Sequence, residues 1–211
     1  MNDAQHHWNT VYQTKSFNES SWFEETPALS ISFFDKTCLP RTARLIDVGA
    51  GESRLVDYWL AQGYRNITLV DISEKALERT RHRLGQRRNS INWVVADAAT
   101  FVPSEPYDFW HDRATLHFLT QEPHARHYAQ TIGQYLRPAG HLVVGTFDEN
   151  GPDRCSGLIV RHYSETTLSQ LLAGWLRKVE CLTYRHQTPA RTEQAFIFCH
   201  FQQSATAIPT E

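Results

Sequence analysis

Residues 45–53 read Leu-Ile-Asp-Val-Gly-Ala-Gly-Glu-Ser: a short apolar run, two glycines one residue apart, then a polar step into a helical stretch that continues to about Gln62. A strand that turns on Gly49 and Gly51 into a helix is the opening unit of a doubly wound α/β sheet. The same unit repeats toward the C-terminus. Residues 66–71 (NITLVD) form a second apolar run, and 73–84 a helix with Ser73 as its cap and Ala76, Leu77, Thr80 and Leu84 on one face. A third run follows at 91–97 (INWVVAD), a fourth at 107–112 (YDFWHD), a helix near 123–136, and a fifth run at 141–147. Before the fifth run stands R-P-A-G, whose Pro138 and Gly140 stop the helix. Strands separated by helices of this length pair in parallel. Farther on, a helix near 165–174 leads to two alternating segments, 176–187 and 192–201, joined by a short turn containing Pro189. These predict an antiparallel hairpin at the edge of an otherwise parallel sheet with helices on both faces.

Upstream of residue 43 the chain is dense in aromatics. Phe33 and Phe34 are expected to pack a helix onto the sheet, whereas Trp8, Tyr12 and Trp22 come early enough to form a lid over the carboxyl ends of the strands. The expected organisation is one domain over residues 1–211: a helical lid (1–40), the core (43–201) and a polar tail (202–211). A length of 211 residues, 41% of them hydrophobic and 12% aromatic, suits one core. Lys and Arg (21) nearly cancel Asp and Glu (23), so no global field favours a polyanion or an anionic membrane, and neither nucleic acid nor a membrane is an expected partner. No apolar run approaches a membrane span, and the first residues lack the layout of a signal peptide. The four cysteines (Cys38, Cys155, Cys181, Cys199) lie far apart without a C-x-x-C, which predicts free thiols and a reducing, cytoplasmic location. His124 and His127 form H-x-x-H without the Glu of a zinc helix, so no metal is expected. Arg79, Arg81, Arg83, Arg87 and Arg88 run beside Glu74 and Glu78 and read as a solvated face.

The chemistry lies at the strand ends. A dinucleotide fingerprint needs a third glycine where this chain has Arg54, and Asp47 and Glu52 would repel a pyrophosphate. An acidic, glycine-turned loop suits instead a ligand with an ammonium group and no phosphate, of which S-adenosylmethionine is one. Asp71 ends the second run, 20 residues beyond Gly51, where a carboxylate accepts from both hydroxyls of a ribose. Asp97 ends the third, near the place of an adenine. Any one of the three reads as a cap or turn residue; three at the ends of successive strands do not.

Taken in order, LIDVGAGES, LVDIS, VVADA, YDFWHDRA and LRPAGHLVVGTF resemble the motifs of the class I S-adenosylmethionine-dependent methyltransferases, over about residues 6–201. The resemblance implies a Rossmann-like sheet of seven strands whose last is antiparallel. It also implies that Asp47, Gly49, Ala50 and Gly51 hold the methionine part of the cofactor, Asp71 and Ile72 the ribose, and Asp97 with Ala98 the adenine. Methyl transfer is an in-line displacement that asks chiefly for alignment and exclusion of water. The acceptor residues are then sought after the fourth strand, in the lid and in the long loop after the fifth. Arg113 is the candidate clamp for an acceptor carboxylate, and Asp112 or His111 the group that orients or deprotonates the nucleophile. Trp8, Tyr12, Trp22 and Arg161 complete the expected acceptor site; His117 reads as a satisfied core histidine and Cys155 as a small buried residue. Within the family, Trp110-Asp112-Arg113-Ala114 and the aromatic lid look like small-molecule enzymes of the thiopurine S-methyltransferase kind. They depart from the Asp-Lys-Gly-Ser/Thr-x-x-Asp pattern of protein lysine methyltransferases at Arg113, Ala114 and beyond. The expectation is a monomer or weak dimer methylating a small anionic or thiol-like acceptor. A protein lysine N-methyltransferase and a nicotinamide-dependent oxidoreductase are the alternatives.

Overall fold

The computed structural model describes residues 3–204. Its sheet has seven strands, built from β1 (Arg44–Val48), β2 (Asn66–Asp71), β3 (Ile91–Val95), β4 (Tyr107–Arg113), β5 (Leu136–Phe147), β8 (Leu176–Gln187) and β9 (Glu193–Gln203). They lie in the order β3-β2-β1-β4-β5-β9-β8. The β1 to β5 pairings are parallel, and β9 runs antiparallel to both β5 and β8. β6 (Arg154–Cys155) and β7 (Leu158–Ile159) form a separate two-stranded hairpin. The doubly wound, seven-stranded architecture with its antiparallel β9 is the one the motifs predict.

Helices α1 (Asp3–Thr14), α2 (Ala28–Asp35), α3 (Leu55–Ala61), α4 (Glu74–Leu84), α5 (Glu122–Tyr135) and α6 (Glu165–Leu172) surround the sheet. Ser73 caps α4 by accepting from Ala76 N, and Ala76, Leu77, Thr80 and Leu84 are its buried residues. Both faces of the sheet are covered, so neighbours along a strand enter different cores. Phe109 packs with Phe33, Phe34 and Trp59 on one side, while Trp110 packs with Tyr128 and Leu142 on the other. In β9, Phe196 and Phe198 join the first cluster, and Ile197, Cys199 and Phe201 the second.

Several expectations are corrected. β5 begins at Leu136, which pairs with Tyr107, and the next recorded pair is Phe109 with His141. R-P-A-G therefore makes a bulge inside the strand, with Ala139 at φ 62°, rather than a turn ahead of it. The tail starts later than 202, because Gln202 and Gln203 belong to β9; residues 205–211 lie outside the described residues. Arg87 and Arg88 leave α4 for a 3-10 turn, and Arg83 and Arg87 both pair with Asp57, so that stretch is part of an ion-pair network. Cys181 and Cys199 stand opposite each other in the β8–β9 register and are disulfide-bonded, leaving only Cys38 and Cys155 free. Pairing across a hairpin is set by strand register, which cysteine spacing alone does not reveal. The inference from free thiols to a reducing compartment therefore does not carry. No helix among the described residues is long and apolar enough to cross a membrane.

Candidate active site

At the end of β1 the chain folds back over β2, with Gly49 N and Ala50 N both donating to Val70 O at 2.8 and 3.0 Å. Gly49 and Gly51 have φ of +70° and +50°; a Cβ at Gly49 would stand 1.6 Å from Thr115 Oγ1 and one at Gly51 2.4 Å from the Tyr12 hydroxyl. Gly51 N donates to Asp71 Oδ2 at 2.8 Å, and Ser73 N to Asp71 Oδ1 at 2.7 Å. Asp71 thus shapes the loop as well as facing the cavity. Burial lifts its carboxyl to about 6, against the pull of those two N–H groups, with Asp47 raising it further.

Asp47 and His111 are register partners on β1 and β4, so their side chains share a face. His111 Nδ1 meets Asp47 Oδ1 at 2.7 Å and Nε2 meets Ser30 Oγ at 2.9 Å. A carboxylate only accepts, so Nδ1 carries the proton. Asp47 Oδ2 is buried and has no hydrogen-bond partner. Asp97 Oδ1 accepts from Ala99 N at 2.9 Å, in the turn that follows β3.

These groups border one cavity of about 630 Å³. Asp47, Gly49, Ala50, Gly51, Asp71, Ile72, Asp97 and Ala98 line its sheet side, and Trp8, Tyr12, Trp22, His111 and Arg113 close it from the lid and β4. The lid rings touch one another, with Trp8 centroids 5.9 Å from Trp22 and 5.0 Å from Phe118. Tyr12 sits over Gly51, on the sheet side of the cavity; burial first, then the Asp71 and Glu52 charges, holds its phenol well above the usual range.

Three expected acceptor-site residues are placed differently. Asp112 follows His111 on the strand and points to the opposite face, where it is wholly buried away from the cavity. It accepts from Thr115 N at 3.1 Å, Leu116 N at 3.3 Å and the Tyr128 hydroxyl at 2.8 Å, and so ties down the turn after β4. Arg161 lies outside the cavity lining, paired with Glu122 at 2.6 Å and stacked on Tyr163. Arg113 does reach the cavity, but its Nη1 donates to Trp22 O at 3.0 Å and its Nη2 stands 3.3 Å from Glu24. It holds the lid through Trp22 and Glu24, while its Nε and Nη2 are buried without a hydrogen-bond partner. His111, engaged at both nitrogens, orients Asp47. His117 is in the core as expected, stacked on Phe147 at 4.3 Å, yet both its ring nitrogens lack partners; burial, then the Arg113 and His162 charges, drives it down to about 3, so it is neutral.

The cavity also contains residues that sequence reasoning missed. Glu24 and Phe118 line it; the β6–β7 hairpin, in the long loop after β5 where acceptor residues were sought, lines it too, with Cys155 buried as expected and its thiol pushed up by that burial. Glu24 carries no sequence signal, since it lies in coil between two helices. Among the described residues no group of three or more His, Cys, Asp or Glu is placed to hold a metal ion.

Residues 45–140 match a family model described as a methyltransferase domain. In fold and in the order of its motifs the chain is similar to the class I S-adenosylmethionine-dependent methyltransferases. Its backbone superposes on the N-methyltransferase NodS of Bradyrhizobium japonicum, solved with S-adenosylhomocysteine, with a TM-score of 0.69 over 92% of this chain and 97% of that one, at 18% identity. It also matches 1,6-didemethyltoxoflavin-N1-methyltransferase of Burkholderia thailandensis, solved with 1,6-didemethyltoxoflavin and S-adenosylhomocysteine, with a TM-score of 0.67 over 95% and 84%, at 22% identity. At these identities the likeness is one of fold. By sequence, the eEF1A lysine and N-terminal methyltransferase of Danio rerio is 25% identical over 181 residues, 84% of this chain and 24% of that protein. Nodulation protein S of Rhizobium fredii is 30% identical over 87 residues, 41% of this chain and 49% of that protein. The chain thus spans between a quarter and a half of these curated relatives.

Proposed function

We propose that the chain transfers a methyl group from S-adenosylmethionine to a small acceptor bound under the N-terminal lid. The observation that carries this reading is Asp47 Oδ2, a buried carboxylate oxygen without a partner on the wall of a glycine-turned cavity. Leaving such an acceptor unpaired is costly, and the ammonium of the cofactor's amino acid part is the partner it fits. Asp71, already set by two backbone donors, keeps lone pairs for ribose hydroxyls, and Asp97 with Ala98 borders the place of the adenine. When bound, S-adenosylmethionine supplies an electrophilic methyl group. The chain's share of the work is to hold Asp47 through His111, to shape the loop through Asp71, and to exclude water with Trp8, Tyr12 and Trp22.

The test is a thermal-shift titration. S-adenosylhomocysteine at about 100 times its dissociation constant should stabilise the chain by about 2.7 kcal/mol. No shift at millimolar ligand, with a shift produced by NADH instead, would overturn the assignment in favour of an oxidoreductase.

Affinity should also depend on pH through Asp71. Hydroxyl donors bind the carboxylate form, and a group at about 6 loses that form as the pH falls. S-adenosylhomocysteine should therefore bind about tenfold more weakly near pH 5 than near pH 7.5, with little further change above it. Calorimetry across that range checks this, and Asp71→Asn should flatten the profile.

A further inference from the structure

Glu24 lines the cavity two residues beyond Trp22. Its two close nitrogen neighbours both approach Oε1, Arg113 Nη2 at 3.3 Å and His186 Nδ1 at 3.4 Å. Each buttress is fixed in turn, since His186 Nε2 meets Ser21 O at 2.8 Å and Arg113 Nη1 meets Trp22 O at 3.0 Å. The clamp orients the carboxylate by one oxygen and makes no use of Oε2. The other guanidiniums on the cavity wall are engaged as well, Arg54 by Glu25 at 2.8 Å and Arg154 by the Gly157 carbonyl at 2.9 Å. The lid side of the cavity, which Trp8 and Trp22 also line, therefore offers a carboxylate whose Oε2 is uncommitted, and the guanidinium beside it, Arg113, has its charge paired by that same carboxylate. A carboxylate oxygen left open in this way accepts from an N–H group, which a carboxylate or thiolate acceptor does not offer.

We infer that the acceptor is a small amine, its nitrogen at Glu24 Oε2 and its apolar body against Trp8 and Trp22. This deepens the methyl-transfer reading, rests on it, and replaces the expected anionic acceptor. The nitrogen lone pair forms the new N–C bond as the S–C bond breaks, and the electron pair of that bond stays on sulfur. One proton then leaves the nitrogen for Glu24 Oε2 and passes to water, so Glu24 is the proton acceptor.

The experiment is calorimetry on the chain saturated with S-adenosylhomocysteine, titrated with tryptamine and phenethylamine and with their carboxylate counterparts, indole-3-acetate and phenylacetate. At least one amine should bind, at least about tenfold more tightly than its carboxylate counterpart. Glu24→Gln should weaken that amine about tenfold or more, the effect of losing a charge-assisted hydrogen bond. Glu24→Asp should keep part of the affinity, and both variants should hold S-adenosylhomocysteine as the parent does. Binding of neither amine, tighter binding of a carboxylate, or unchanged amine affinity in Glu24→Gln would overturn the inference. Loss of S-adenosylhomocysteine along with the amine in both variants would overturn it too, making Glu24 a strut of the lid. Failure of the unsubstituted chain to bind S-adenosylhomocysteine is a different result, which removes the methyl-transfer reading itself.

Discussion

Asp112→Ala is expected to destabilise the chain by about 2–4 kcal/mol while leaving the chemistry of the folded fraction intact. The substitution strands three donors, the buried Leu116 N and Tyr128 hydroxyl at about 1–3 kcal/mol each and the part-buried Thr115 N at less. Part of that cost is returned, because burial already holds the Asp112 carboxyl at about 6 and the folded chain gives up an expensive charge. Asp112→Asn keeps an oxygen for the two backbone donors and an amide for Tyr128, and should cost less. Urea denaturation at pH 7.5 measures both. A catalytic Asp112 would give the opposite pattern, unchanged stability with lost turnover, and that outcome would return it to the candidate catalytic residues.

The second large effect is on the cofactor. Asp71→Ala should lower S-adenosylhomocysteine affinity by about 100-fold or more, and Asp71→Asn by about tenfold. The carboxylate has two tasks: it accepts from Gly51 N and Ser73 N, and in the proposed complex it takes the ribose hydroxyls. Removing it deletes contacts and also frees the loop that must be in place to receive the amino acid part, whereas Asn keeps one acceptor and most of the shape. Calorimetry on both variants, beside their melting curves, separates the two tasks. Equal, small losses in the two would show that the carboxylate faces solvent in the complex and that the ribose assignment is wrong.

The fold was legible because its signals are local. The run at 66–71 ends where β2 ends, and the face of Ala76, Leu77, Thr80 and Leu84 is the buried face of α4. Strand-end carboxylates were legible for the same reason, since Asp47, Asp71 and Asp97 stand at the boundary between an apolar run and a turn. What the sequence did not carry depends on register between distant segments. His111 and Asp112 look equivalent in a polar strand end, and only the pairing of β4 with β1 decides that one meets Asp47 and the other Tyr128. The disulfide depends on the β8–β9 register. Arg161 departs because the loop after β5 brings it beside Glu122, and Glu24 was invisible because its partners, Arg113 and His186, are 89 and 162 residues away in the chain.

The alternation at the end of β4 also sets what kind of change that strand withstands. A one-residue slip would turn Asp112 toward Asp47, setting two carboxylates against each other, and would press His111 into the apolar layer around Tyr128. Side chains along β4 can be exchanged one at a time at a graded cost, but its length is fixed. An insertion or deletion anywhere between Phe109 and Arg113 inverts the polarity of two cores at once, so variation in this part of the chain is confined to substitutions within the strand and to the loops on either side of it.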